Sequence, residues 1–164
     1  MNLKSCTPVL FVKDALKSRD FYAGILGMTI IADFGGLNII FEEGLAVWQI
    51  MDGNMITEKL GRSGIENAES VSRFEMVFET DDIDIVNEKL KENNVKLLHE
   101  LNTEVWGQRT IRFYDPDGHL IEVGEAIPVF LKKIYEEEDG DVEATSKRTY
   151  MPEDAIRQIL ELES

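Results

Sequence analysis

The sequence predicts an α+β fold in which two tandem βαβββ modules form a cup-shaped sheet, followed by a helical C-terminal extension. Three observations carry this reading. Short β-rich runs and one helical stretch occur in the same order in each half of the chain. The halves align on the aspartates that open their helical stretches: Asp14 and Asp82 lie 68 residues apart, an offset that also sets Thr7 on Glu75, Leu10 on Phe78 and Val12 on Thr80. Residues 126–164 match neither half and read as helical.

In module one, residues 5–50, the run "TPVLFV" is a first strand. "DALKSRDFYAGILG" follows as a helix, with Leu16, Phe21 or Tyr22, and Ile25 at helical spacing and Gly27 as its stop. "TIIADF", "LNIIF" and "LAVWQI" are three further strands, separated by turns at Gly35-Gly36 and Glu43-Gly44. Residues 51–72 are polar and punctuated by glycine, a linker or long loop. Module two, residues 73–124, repeats the order. "RFEMVFET" is a strand, "DDIDIVNEKLKENN" a helix with acidic groups at its start, and "VKLLHE", "QRTIRFY" and "HLIEVGE" are strands. Asp115-Pro116-Asp117-Gly118 joins the last two as a tight turn. The modules together make one domain, residues 1–125. In the extension, "AIPVFLKKIYEEE" reads as one helix, and Pro152 sits where another can begin.

Composition narrows the function classes. A 164-residue chain with 43% hydrophobic residues has enough apolar matter for one domain with a core. A net charge of −15 opposes non-specific contact with nucleic acid or an anionic membrane. No apolar run approaches the ~20 residues of a membrane span, and the N-terminus makes a poor signal peptide. The single cysteine, Cys6, excludes an internal disulfide framework and fits a reducing cytoplasm. It has no base near it in sequence and reads as inert. The cadence of the last two helices suggests a helix-turn-helix. The second of them, however, sets Arg157 against Glu153, Asp154, Glu161 and Glu163, so DNA binding is rejected in favour of a packing or dimer-clasping pair.

Strand parity places the candidate chemistry. Met76 and Phe78, Ile111 and Phe113, and Ile121 and Val123 suit a helix-covered face. The opposite face then collects Glu75, Val77 and Glu79, then Thr110, Arg112 and Tyr114, then Leu120 and Glu122. A hairpin closed by the Asp-Pro-Asp-Gly turn with Tyr114 opposite Leu120 sets Arg112 opposite Glu122, a cross-strand pair of opposite charges. A solvated face would explain these charges. A cup formed by two such sheets would instead hold them for a ligand. Trp48 and Trp106 are candidates to stack on a planar ligand, or plain packing residues. Arg109, after Gly107, is a candidate for an anionic group, or a surface charge. Tyr22 reads as core. His119 falls on the helix-side face and His99 at a strand end, both structural or exposed. The run Glu136–Asp139 reads as a solvated helix end.

The duplicated unit, with "FVKDALKSRDFYAGILGM" and "FYDPDGHLIEVGE", resembles the vicinal oxygen chelate superfamily. That group includes glyoxalase I, bleomycin resistance proteins, fosfomycin resistance enzymes and extradiol dioxygenases. "EVWGQRTIRFYDPDGHLIEVGE" followed by "SKRTYMP" is similar to a bacterial branch with a helical C-terminal extension. The resemblance implies a homodimer and a cup that binds a small organic molecule; the cysteine count and the lack of a span or signal peptide imply a cytoplasmic location. The resemblance also implies four metal-ligand positions in metal-dependent members, one on the first and one on the last strand of each module. Those positions map to Glu75 and Glu122 in module two, and to Thr7 and Trp48 (or Gln49) in module one. Thr and Trp are poor ligands for a divalent ion, so no cofactor is expected. A divalent metal remains possible only as a weak guest of Glu75 and Glu122. Thr7, Trp48, Gln49, Trp106, Arg109, Arg112 and Tyr114 are the expected ligand contacts. The rival reading is a lyase or isomerase of glyoxalase type with Glu122 and Glu75 as base or metal ligands. A third is a partner-binding protein whose C-terminal helices fill the cup.

Overall fold

A computed structural model describes residues 7–53, 57, 58, 61 and 75–162. Cys6 and most of the 51–72 segment lie outside the described residues. The first module runs β1 (Val9–Val12), α1 (Ala15–Arg19), a π-helical turn (Asp20–Ile25), β2 (Ile30–Phe34), β3 (Asn38–Phe41) and β4 (Ala46–Gln49). The second runs β5 (Glu75–Thr80), α2 (Ile83–Glu92), β6 (Leu97–Thr103), β7 (Arg109–Tyr114) and β8 (Leu120–Glu125). Three helices follow: α3 (Ile127–Glu137), α4 (Val142–Thr149) and α5 (Glu153–Ile159).

The strands form two separate four-stranded sheets, ordered β1-β4-β3-β2 and β5-β8-β7-β6. In each, the module's first strand runs parallel to its last, and the remaining pairs are antiparallel. This is the βαβββ unit twice over. Both helices start by the same device. Asp14 and Asp82 hold an extended backbone while their carboxylates accept hydrogen bonds from the next turn's N–H groups, Leu16 and Lys17 in one case, Asp84 and Ile85 in the other.

The chain divides into two compact units. One comprises residues up to 73 together with Asp115–His119; the other comprises 74–114 and 120 onward. In the first, Leu10, Val12, Ile39, Phe41 and Val47 are buried on one sheet face. The helical stretch departs from regular α spacing there. Leu26 N–H bonds the carbonyl of Phe21, five residues back, and the wide turn buries the adjacent Phe21 and Tyr22 together. In α1, which precedes that turn, Ala15 and Ser18 face inward and Leu16 is 46% exposed. Tyr22 is core as expected, but not inert. Its hydroxyl donates to Asp115 Oδ2 at 2.9 Å, and that carboxylate also meets His119 Nδ1 at 2.8 Å. His119 is thereby a structural partner of a buried aspartate.

In the second unit, Met76, Ile83, Leu90, Ile111, Phe113, Ile121 and Val123 make the core between sheet and α2. The extension adds a satellite core of Leu131, Val142 and Ile156. Pro152 caps α5. The acidic run at the end of α3 is largely exposed, as expected, yet Glu137 and Glu138 each accept a hydrogen bond from Arg148 on α4, clamping the two helices. Gly107, at φ +98°, lies so close to α3 that an added Cβ would stand 2.5 Å from Ile134 Cδ1. Among the described residues, no helix is long and apolar enough to cross a membrane.

Candidate functional site

The β7–β8 hairpin takes the register that its turn implies, with Tyr114 opposite Leu120 and Arg112 opposite Glu122. Arg112 Nη2 ion-pairs with Glu122 Oε2. The guanidinium has two further carboxylate partners, Glu75 through Nε at 2.7 Å and Glu104 through Nη1 at 2.9 Å. His99 Nε2 stands 3.3 Å from the same Nη1.

Two members of this cluster escaped the sequence reading. His99 is not at a strand end but within β6, paired with Arg112 across a register shift that moves it onto the polar face. Glu104 reaches the cluster because the turn at Gly107 folds the chain back, with Gly107 N–H bonded to the Glu104 carbonyl. Glu104 also accepts from the Thr110 hydroxyl at 2.9 Å. Gly107 was the available signal for that turn.

The electrostatics follow from burial and the shared cation. Burial pushes the Glu122 carboxyl above the ordinary carboxylate range; Arg112 pulls it down, and the neighbouring charges of Glu75 and Glu104 add to the rise. The hydrogen bond from Arg112 holds Glu104 below that range, against the effect of burial. Burial opposes the charge on Arg112, but its hydrogen bonds to Glu104 and Glu75 leave its pKa raised.

A cavity of about 490 Å³ opens beside Glu122, wholly within the second unit. Its floor is the polar face of β5 and β8, at Val77, Glu79, Glu122 and Gly124. Trp106 and Gln108 close one side, and α3 with the α4–α5 junction supplies Phe130, Thr149, Tyr150 and Met151. Trp106 Nε1 donates to Gln108 Oε1, and Gln108 Nε2 donates to the Glu125 carbonyl, so this wall is braced internally.

Of the residues singled out from the sequence in module two, Trp106 and Glu122 line the cavity. Glu75 and Arg112 are tied to Glu122 by charge. Tyr114 is half-buried on β7, with the Lys96 ammonium 4.9 Å from its ring centre, and is not among the cavity's lining residues. Arg109 is directed elsewhere. It shares the parity of Ile111, so its guanidinium meets Asp84 of α2 at 3.0 Å and the buried Glu125 at 2.8 Å. Its charge is balanced there instead of being offered to an anion.

In the first unit, Thr7 is exposed and precedes β1. Trp48 is half-buried, paired with Phe11 and stacked on it at 6.4 Å between ring centres. Gln49 takes a structural role, its Oε1 accepting from Ala15 N–H at the start of α1. The sheet registers also move one mapped position. Val77 pairs with Glu122, whereas its counterpart Val9 pairs with Ala46, so the first-module equivalent of Glu122 is Ala46, not Trp48 or Gln49. Neither Thr7 nor Ala46 offers a ligand suited to a divalent ion, and Glu75 and Glu122 already share a guanidinium. Among the described residues, no three His, Cys, Asp or Glu side chains group to hold a metal. The donor set does not fit the metal site that the resemblance would imply.

Comparison with known proteins gives a consistent picture. A family model described as a glyoxalase-like domain matches residues 5–128. The uncharacterized protein YraH of Bacillus subtilis (strain 168) is 29% identical over 118 residues, 70% of this chain and 91% of YraH. A crystal structure of a protein of unknown function from Agrobacterium tumefaciens str. C58 is 36% identical, with a TM-score of 0.65 over 77% of this chain and 97% of that one. The fosfomycin resistance protein FosX of Mesorhizobium loti is similar in fold, with a TM-score of 0.55 and 18% identity over 77% of this chain and 94% of FosX. Residues 129–164, which include much of the cavity wall, lie beyond the segment that the family model matches.

Proposed function

The chain belongs to the glyoxalase-like domain family, and on that premise we propose that it binds a small organic molecule, without a tightly held metal, in the cavity beside Glu122. The observation that carries this reading is the coincidence of a roomy, largely apolar cavity with a nearly buried carboxylate, Glu122, on its floor. The Arg112 guanidinium supplies the positive charge that a metal would otherwise bring to Glu75 and Glu122.

Native mass spectrometry of the purified protein tests the proposal, alongside Val77→Trp. Val77 is 61% exposed and lines the cavity, so a larger side chain there fills the space without disturbing the core. The expected result is a bound small molecule that survives dialysis against a chelator and is absent from Val77→Trp. A ligand retained by Val77→Trp, or lost on chelation, would overturn the reading.

Glu122 also favours a second reading, a lyase or isomerase of glyoxalase type. A carboxyl raised by burial and facing a cavity suits proton abstraction from a bound substrate. The two readings part on whether a bound ligand is returned altered.

The proposal further includes a cytoplasmic homodimer. β2 is the outer strand of its sheet, and Ile31 and Phe34 are exposed along it, an edge that a second copy would shield. A monomer in sedimentation at micromolar concentration would contradict this.

A further inference from the structure

We infer that the ligand of this cavity is an amphipathic organic cation, a protonated or quaternary amine carried on an apolar body. The inference rests on the reading that the cavity is the binding site, and it follows from which lining groups remain unsatisfied.

The lining contains two carboxylates, Glu79 and Glu122, and no Lys, Arg or His. Of the neutral polar groups, those of Trp106, Gln108 and Thr149 are already engaged, which leaves the Tyr150 hydroxyl. Gln108 accepts from Trp106 and donates to the Glu125 carbonyl, and the Thr149 hydroxyl donates to the Thr145 carbonyl. An anion entering here would meet two carboxylates and no cationic side chain, with only neutral donors such as the Tyr150 hydroxyl to receive it. A neutral polar ligand would find few partners beyond the carboxylates.

Glu122 is not neutralised by its own partner alone. Arg112 is one cation shared among the three carboxylates of Glu75, Glu104 and Glu122, with His99 the remaining titratable neighbour. The cluster keeps a surplus of negative charge next to an apolar space. Burial leaves Glu122 poorly solvated, a condition that a cation in the cavity would relieve. Glu79, the exposed carboxylate, has no ion-pair partner among the described residues.

The apolar lining suits the same ligand. Trp106, Phe130 and Tyr150 present aromatic surface, and aromatic faces attract cations. The Trp106 ring nitrogen is already bonded to Gln108, so its face is what it has left to offer. Tyr150 is held at φ +60°, a left-handed conformation unusual for a tyrosine, and is 76% exposed. That conformation ends α4, and it leaves the Tyr150 ring exposed at the cavity.

The test uses benzyltrimethylammonium, its uncharged isostere neopentylbenzene and the anion 3-phenylpropanoate. Each is titrated into full-length protein carrying Trp48→Phe, which leaves Trp106 as the sole tryptophan reporter. The expected result is saturable change in Trp106 fluorescence with benzyltrimethylammonium, at an affinity about tenfold or more above the isostere. Glu79→Gln and Glu122→Gln should each narrow that ratio. Glu79 is exposed, so its variant keeps the fold and makes the test independent of any cost at Glu122. Equal affinity for cation and isostere, or preference for the anion, would overturn the charge inference while leaving the cavity as a binding site. Failure of all three to reach Trp106 would remove the cavity reading itself, and this inference with it.

Discussion

Arg112 and Glu122 face each other across β7 and β8 as an ion pair, and the same guanidinium holds Glu75 and Glu104. One cation thus organises three carboxylates from three separate parts of the chain. Glu75 and Glu122, the two second-module positions that the resemblance offers to a metal, are both held by this guanidinium.

Removing that cation should be costly. Arg112→Met leaves three carboxylates facing one another without a counter-charge. In the fully buried limit, breaking such a set costs about 3–5 kcal/mol. The Arg112 side chain is 23% exposed, so screening reduces the expected loss to about 2 kcal/mol. Urea denaturation at neutral pH measures it. Adding Glu122→Gln to Arg112→Met should recover part of the loss, because one like charge is removed. Equal stabilities of the single and double variants would contradict the shared-cation account.

Glu122→Gln alone should keep the fold. The folded-state pKa of Glu122 is raised, so its contribution favours folding below the ordinary value of 4.5 and fades as pH rises through the folded value. Relative to wild type, the glutamine variant should therefore gain stability towards neutral pH and lose that advantage in acid. Melting curves of both proteins between pH 4 and 8 test the sign. A wild-type advantage that grows with pH would refute it.

The Tyr22–Asp115–His119 set predicts a different pH window. Burial opposes both charges, but the hydrogen bond and attraction between the partners prevail, raising His119 and lowering Asp115. The His119 contribution is fully present below its ordinary 6.5 and is lost as pH rises through the raised value. That of Asp115 is present above its ordinary 3.8 and is lost as pH falls through the lowered value. The stabilising effect of the pair should therefore peak between about pH 4 and 6.5. His119→Ala should cost most stability in that window, a pattern that a pH series of melts would reveal. Tyr22→Phe removes a buried donor to a carboxylate and should cost about 2 kcal/mol.

Gly107→Ala tests the loop that carries Glu104 and Trp106. The substitution meets both a left-handed backbone and the side chain of Ile134 at 2.5 Å. A loss of about 2 kcal/mol or more is expected by denaturation. Ile134→Val in the same chain removes the 2.5 Å contact but leaves Cγ1 at 3.0 Å and the backbone strain, so rescue should be partial. Full rescue would assign the whole effect to packing.

The sequence by itself determined the features that depend on neighbours along the chain. The 68-residue repeat, the capping aspartates Asp14 and Asp82, the faces of β7 and β8, and the pairing of Arg112 with Glu122 all rest on local chemistry. Strand alternation has a period of two, and a tight turn fixes the register on either side of it. Tertiary structure alone decided what happens where remote segments meet. A β-bulge brought His99 across to Arg112, and the fold-back at Gly107 delivered Glu104. Packing against α2 drew Arg109 to Asp84, and the start of α1 drew Gln49 into a hydrogen bond. The cavity needed α3 and the α4–α5 junction to come down on the polar face of β5 and β8, which no period in the sequence records. Side-chain parity says which face a residue occupies; only the packing of distant elements says what that face will meet.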